Sequence, residues 1–159
     1  MQIDENSIEK HYLVLMVQFN VNSSRHVFFE WFKDFNNYAL IFSHVNKFVP
    51  LDDLPLNVSG KKYLEYADNF LGKEKIYKAI VLHFVEDKFI IVQVFNPLVK
   101  GIYRFAFYED ERGKTIFEIC LFTTSRNLFR VLFLKVGLTV LFAYRYRFAR
   151  KNLTKIFPF

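Results

Sequence analysis

Few side chains in this sequence have the type and spacing to do chemistry. The four histidines, His11, His26, His44 and His83, show none of the spacings by which a helix or a loop presents two imidazoles to a metal. Cys120 is the one cysteine, which excludes a disulfide or a thiolate cluster and suits a reducing compartment. As a lone thiol it reads as a small apolar filler. No glycine-rich phosphate loop and no nucleophile elbow is present. What remains is an acid and a base, Asp68 and Lys78, which strand pairing would bring together at one end of a sheet. General acid–base work by Asp68, Lys78 or a tyrosine is open in principle. A weak surface contact is the plainer reading. No metal and no cofactor is expected.

Charge is placed unevenly. From Arg126 to Phe159 the chain carries eight bases and no acid, leaving 14 of the 22 bases to face all 16 acids before it. A basic helix end interacting with its own dipole explains such a run. So does contact with an anionic membrane surface. The aromatics there do not alternate with bases on a strand or loop of a recognised module, so no nucleic-acid partner is expected. The N-terminal MQIDENSIEK has early acids and no apolar stretch, unlike a secretory signal. The expectation is a cytoplasmic protein, with peripheral membrane contact left open.

The elements that must position these residues follow from periodicity. His11–Asn20 alternates as a strand with Leu13, Leu15, Val17 and Phe19 on one side. Asn22, Ser23 and Ser24 offer a cap, and Val27, Phe28, Trp31, Phe32 and Phe35 then recur at helical spacing over Arg25–Phe35. A second short helix over Asn37–Phe42 and a weak strand over Val45–Leu51 come next, and Pro50–Gly60 is a loop. Five strands follow: Lys61–Leu71, Lys75–Glu86, Lys88–Phe95, Ile102–Glu109 and Lys114–Thr123. Their short breaks predict antiparallel hairpins. The final element, Arg126–Phe157, is one long helix. Its first half is apolar nearly all the way round, so both its sides need cover.

Register is set by keeping one face apolar. Tyr66 is paired with Ile80, Leu64 with Leu82, Leu82 with Val92 and Phe84 with Ile90. Val94 is paired with Tyr103, Val92 with Phe105, Ile90 with Phe107, Phe105 with Phe117, and Tyr103 with Ile119. The inner face then reads Leu64, Tyr66, Phe70, Ile76, Ile80, Leu82, Phe84, Ile90, Val92, Val94, Tyr103, Phe105, Phe107, Phe117, Ile119 and Leu121. Glu65, Asn69, His83, Gln93, Arg104 and Glu118 fall outside, with Arg104 directly across from Glu118. The same register sets Asp68 opposite Lys78.

Strand, two short helices, a run of antiparallel strands and one long helix, with the segment Asn22–Tyr38 (NSSRHVFFEWFKDFNNY) opening the helical part, resemble the START-like, Bet v 1-like superfamily of polyketide cyclase/dehydrase and lipid-transport domains. The likeness covers roughly His11 to Lys155 and rests on element order, lengths and patterning. It departs in lacking a tryptophan and prolines between the short helices, and in a C-terminal helix that is unusually apolar and basic. The resemblance implies one α+β helix-grip domain over residues 1–159, core about 11–157: a curved antiparallel sheet around the long C-terminal helix. A cavity between them would take a lipid-like, polyketide-like or isoprenoid molecule.

On that implication the lining consists of Trp31, Tyr66, Ile80, Leu82, Val92, Val94, Tyr103, Phe105, Phe117 and Ile119, with Phe133, Val136 and Val140 across from them. Asp68 and Lys78 would stand at the mouth. The alternative is that these side chains fill a solid core. The C-terminal helix allows three roles. It is gripped, with its far side covered by the N-terminal segment or by a second copy. It lies on a membrane, with Arg145, Arg147, Arg150 and Lys151 at anionic head groups. Or it spans the bilayer, at the lower limit of length. The leading functional expectation is a carrier or sensor of an apolar small molecule. A cyclase-like or hydrolytic enzyme would need an ionisable group deep on the inner face. A membrane-surface interaction protein is the third reading.

Overall fold

The structure, a computed structural model, describes residues 11–158 apart from positions 57 and 70. Strand β1 (Tyr12–Val21) leads into helix α1 (Arg25–Phe32) and helix α2 (Asn36–Ile41). Then come β2 (Val45–Pro50), β3 (Lys62–Asp68), β4 (Glu74–Val85), β5 (Phe89–Val94), β6 (Gly101–Glu109) and β7 (Thr115–Thr123), and helix α3 (Leu128–Ile156) ends the chain. The seven strands form one antiparallel sheet in the order β1-β7-β6-β5-β4-β3-β2. Strands β2 to β7 are a meander, and β1 closes against β7 at the far edge. The connection from β1 to β2 must therefore cross the whole sheet, and α1 and α2 make that crossing.

Local chemistry sets the element ends. Ser24 Oγ accepts from the Val27 amide and caps α1. Helix α1 stops at Phe32, three residues short of the expected Phe35, because Asp34 Oδ1 accepts from the Asn36 amide and turns the chain into α2. In the β6–β7 turn Asp110 Oδ1 accepts from the amides of Arg112 and Lys114, and Gly113 adopts φ 72°, a value only glycine holds cheaply.

The core is aromatic. Phe32 is fully enclosed and meets the rings of Phe35, Tyr38, Phe105, Phe107 and Phe117, with centroids 4.8–6.2 Å apart. Phe28 packs on Phe107 and Phe117, and Phe29 on Phe84 and Phe107. These tilted and edge-to-face contacts fix α1 on the sheet by shape and quadrupole as well as by area.

Pairing corrects the expected register in two ways. From β5 to β7 the faces are as expected but the partners slide by two residues. Val92 pairs with Tyr103, Phe105 with Ile119, and Tyr103 with Leu121. A two-residue slide preserves the alternation, so hydrophobicity cannot detect it, and the turns decide. Arg104 therefore stands across from Cys120, and it reaches Glu118 diagonally at 3.9 Å.

The second correction changes faces. Phe84 pairs with Ile90 as expected, but Val81 pairs with Val92 and His83 with Ile91, so Leu82 is a bulge residue without a partner. Upstream of it the faces reverse. Val81, Ala79 and Tyr77 point inward, and Ile76, Ile80 and Leu82 point outward. Strand β3 follows: Tyr63, Glu65 and Ala67 face in, and Leu64 and Tyr66 face out. Tyr66 pairs with Ile76 rather than Ile80, and Leu64 with Lys78 rather than Leu82. Phe70 lies outside the described residues. Leu82 is covered on the outer face by Ile91, Ile102, Phe89 and Phe122.

Helix α3 buries Leu134, Phe142, Ala149 and Leu153, with Leu138 and Tyr146 half-buried between them. It is tied to β1 by Tyr146 Oη donating to the Gln18 carbonyl, and to α2 by Asn152 Nδ2 donating to the Ile41 carbonyl. Phe133, Val136 and Val140, expected to face the sheet, are 70%, 59% and 69% exposed. The basic second half sets the helix's rotation, because Arg147, Lys151 and Thr154 must be solvated. Counting back by three and four from those positions leads to Tyr144, Val140, Val136 and Phe133 on the same outer face.

Phe32→Ala is expected to lower the free energy of unfolding by about 3–5 kcal/mol. Phe133→Ala is expected to change it by less than about 0.5 kcal/mol. Urea unfolding of both variants checks this ordering, and a comparable loss in the two would contradict the placement of α3.

Candidate functional site

Between α2, the inner face of β3–β6 and the middle of α3 lies space that the aromatic core does not fill. A small inner pocket of about 30 Å³ is walled by Phe35, Tyr38, Phe48, Val92, Val94, Tyr103 and Phe105, with His44 and Glu65 among them. A larger outer chamber of about 300 Å³ shares His44, Glu65, Val94 and Tyr103 with it. It extends past Ala67, Asp68, Tyr77 and Val99 to Leu138, Leu141 and Arg145 of α3. That volume is at the lower end for small-ligand sites, and the wall is of the usual kind, apolar with a few converging polar groups.

Local structure positions each polar group. Glu65 is held in the middle of β3, paired with Phe48 on one side and Tyr77 on the other. The β4 bulge is what turns its side chain inward. His44 sits in the α2–β2 connection, where its carbonyl accepts from the Asp68 amide and fixes it beside β3. Tyr38 comes from α2 and Tyr103 from β6. Glu65 Oε2 and His44 Nδ1 are enclosed, and neither has a hydrogen-bond partner among the described residues.

Burial governs how these groups titrate. Loss of solvation pushes the Glu65 carboxyl up to about 7. Loss of solvation, aided by the Arg145 cation, brings His44 down to about 3, so its imidazole is neutral at ordinary pH. Burial also raises the Tyr38 and Tyr103 hydroxyls, and the negative charge of Glu65 adds to this in both. The pocket therefore presents neutral hydroxyls, a neutral imidazole and a carboxyl that changes protonation near neutrality. Among the described residues no cluster of three or more His, Cys, Asp or Glu side chains is arranged to hold a metal.

Of the residues expected to line a cavity, Val92, Val94, Tyr103 and Phe105 do line it. Phe117 and Ile119 belong to the solid core beside it. Trp31 does not reach it: its ring packs against Phe28 and Phe157. Tyr66, Ile80 and Leu82 are on the outer face because of the bulge, with the Lys47 ammonium 4.7 Å from the Tyr66 ring centre. Phe133, Val136 and Val140 face solvent. Asp68 and Lys78 are not brought together. Asp68 stands across from Glu74 and accepts from Asn46 Nδ2, and Lys78 is exposed across from Leu64. Arg145 turns toward the outer chamber instead of the surface, whereas Arg147, Arg150 and Lys151 are exposed. Glu65, His44 and Tyr38 were not among the expected site residues. Glu65 in a strand reads as a solvated residue unless the bulge is known.

Glu65 and His44 bias stability in opposite directions. A carboxyl with a raised native pKa keeps its proton longer when folded, so its contribution is lost as pH climbs from about 4.5 to about 7. A histidine with a lowered native pKa does the reverse, and stability falls as pH drops from about 6.5 toward about 3. Glu65→Gln removes the first effect alone. The variant's stability relative to the wild type is therefore expected to rise between pH 4.5 and 7, by roughly 2–3 kcal/mol. Urea unfolding across that range measures it, and a flat difference would place the carboxyl in solvent.

No protein-family model matches the chain, and no curated protein sequence is significantly similar to it. Solved structures are similar in shape. The protein of unknown function SA2116 from Staphylococcus aureus superposes with a TM-score of 0.63 at 13% identity, covering 92% of this chain and 97% of that one. The KanY protein gives 0.64 at 12%, covering 91% and 96%. The di-domain ARO/CYC StfQ from the steffimycin biosynthetic pathway gives 0.66 at 10%, covering 96% of this chain and 52% of StfQ, so the chain spans about half of that protein. This chain's seven-stranded antiparallel sheet, two short helices after the first strand and long closing helix superpose on these structures at low sequence identity. The chain has the START-like, Bet v 1-like helix-grip fold.

Proposed function

We propose that the protein binds an apolar small molecule in the space between sheet and α3, with the molecule's polar end against Glu65, His44, Tyr38 and Tyr103. The observation that carries this reading is the pair of enclosed, unpartnered polar atoms, Glu65 Oε2 and His44 Nδ1, set in an otherwise apolar wall. Leaving a buried donor or acceptor unpaired costs about 1–3 kcal/mol. A ligand hydroxyl or carbonyl would satisfy both groups and recover that loss. Known proteins of this shape include ARO/CYC proteins, which agrees with a small-molecule role. The protonated Glu65 acts as a donor and the ionised one as an acceptor. Acid–base chemistry on a bound molecule is thus the natural extension of binding, with Glu65 as the proton-exchanging group.

Filling the space tests the reading. Phenylnaphthylamine, an uncharged apolar dye, is expected to bind the wild type at one site with enhanced emission. Val94→Trp is expected to abolish that binding while the variant still unfolds cooperatively. Retained binding in a folded Val94→Trp protein would locate the dye elsewhere and overturn the assignment.

The outer face of α3 supports a second reading, docking on an anionic membrane. Phe129, Leu132, Phe133, Val136, Val140 and Tyr144 are exposed in a row along its first half. Arg147, Arg150, Lys151 and Lys155 continue that face without an intervening acid. Apolar side chains followed by bases suit the interface of an acidic bilayer. No helix among the described residues is long and apolar enough to cross one. Vesicles containing phosphatidylserine are expected to float the protein at low salt and to release it as salt rises. The double variant Phe133→Glu, Val140→Glu is expected to stay behind, and its co-flotation with the wild type would exclude this face. Dimerisation of the wild type that the double variant loses would assign the row to a second copy instead.

A further inference from the structure

The bases of α3 divide into two kinds. Arg147, Arg150, Lys151 and Lys155 are exposed to water. Arg130 is half-buried and bonded: its guanidinium donates to the carbonyls of Pro97 and Leu98 at 2.6 Å each. Arg145 is also half-buried, on the wall of the outer chamber, yet no hydrogen bond or ion pair to it forms among the described residues. Asp68 is near enough to attract it but makes no ion pair with it, and Asp68 Oδ1 accepts from Asn46 instead. Lys75 and Asp68 are at the rim, and Lys75 is exposed. Besides Asp68, the groups that feel the Arg145 charge are His44 and Tyr103 on the chamber wall and Tyr38 in the inner pocket, none of these three an anion in the neutral range.

A guanidinium presents a planar fork of five donors that matches a carboxylate with two parallel bonds. Withdrawing it partly from water without a partner is unfavourable, and among the described residues no carboxylate is in bonding position. We propose that Arg145 receives the carboxylate of an apolar carboxylic acid, whose hydrocarbon body lies against Leu138, Leu141, Val99 and Val94. This assignment rests on the ligand-binding reading above and gives its ligand a chemical class. It also fixes orientation, with the acid at the α3 side and any second polar group toward Glu65 and His44.

Decanoate and decanol share a chain and differ in the group at issue. Isothermal titration of the purified protein is expected to show decanoate binding at least about tenfold more tightly than decanol. Arg145→Gln is expected to abolish that preference while leaving decanol affinity within about twofold of wild type. A guanidinium that is merely structural would give a different result, with lower thermal stability in Arg145→Gln and an unchanged preference. Equal binding of the two probes by the wild type overturns the carboxylate assignment and leaves the apolar site standing. Binding of neither overturns both.

Discussion

Strand β4 carries one residue more than its ladder with β5 can pair, and Leu82 is that residue. Everything upstream of it depends on this. A strand alternates, so one unpaired residue exchanges inside for outside along the rest of its length. Tyr77, Ala79 and Val81 come in, and through pairing so do Tyr63, Glu65 and Ala67 of β3. Without the bulge the cavity would be lined there by Ile80, Leu82 and Tyr66, and Glu65 would face outward. With it, a carboxyl is placed among aromatic rings and given an environment that favours its proton.

The aromatic residues then decide where space remains. Under α1 the rings of Phe28, Phe29, Phe32, Phe107 and Phe117 meet one another at 4.8–6.1 Å and leave no room. Toward β3 smaller or polar side chains, Val92, Val94, Ala67, His44 and Glu65, stand among the rings and leave space between them. Rigid packing at one end holds the sheet's curvature, so the other end can stay open without collapsing. Tyr38 and Phe105 stand at the boundary, touching Phe32 on one side and the pocket on the other.

Element order and type were legible in the sequence because each strand and helix has a clear period and its breaks carry turn chemistry. The inner faces of β5, β6 and β7 were legible too, since Val92, Val94, Tyr103, Phe105, Phe117 and Ile119 alternate with Gln93, Arg104 and Glu118. Two things were not. Ile80, Val81 and Leu82 are consecutive apolar residues, so the pattern gives no sign of which one bulges, and Glu65 is misassigned with it. The first half of α3 is apolar on all sides, so its facing residues cannot be chosen from that half. The information was present in the second half, where Ala149 and Leu153 stand opposite Arg147 and Lys151.

That division gives α3 two faces with different electrostatics. Arg145 and Arg147 are two residues apart, which places them about 200° apart around the helix. One guanidinium is turned into a chamber walled by Leu138, Leu141 and Tyr103, where low polarity strengthens any charge it meets. The other is turned to water, at the head of a basic run that continues an exposed apolar row. A membrane-facing surface and a ligand-facing surface on one rigid helix would be coupled through that helix alone, since any tilt that settles Phe133 and Val140 into a bilayer also moves Leu138, Leu141 and Arg145 relative to β3 and β6. Such a tilt is resisted at both ends of α3, by Arg130 on the Pro97 and Leu98 carbonyls near its start and by Tyr146 on Gln18 and Asn152 on Ile41 in its second half.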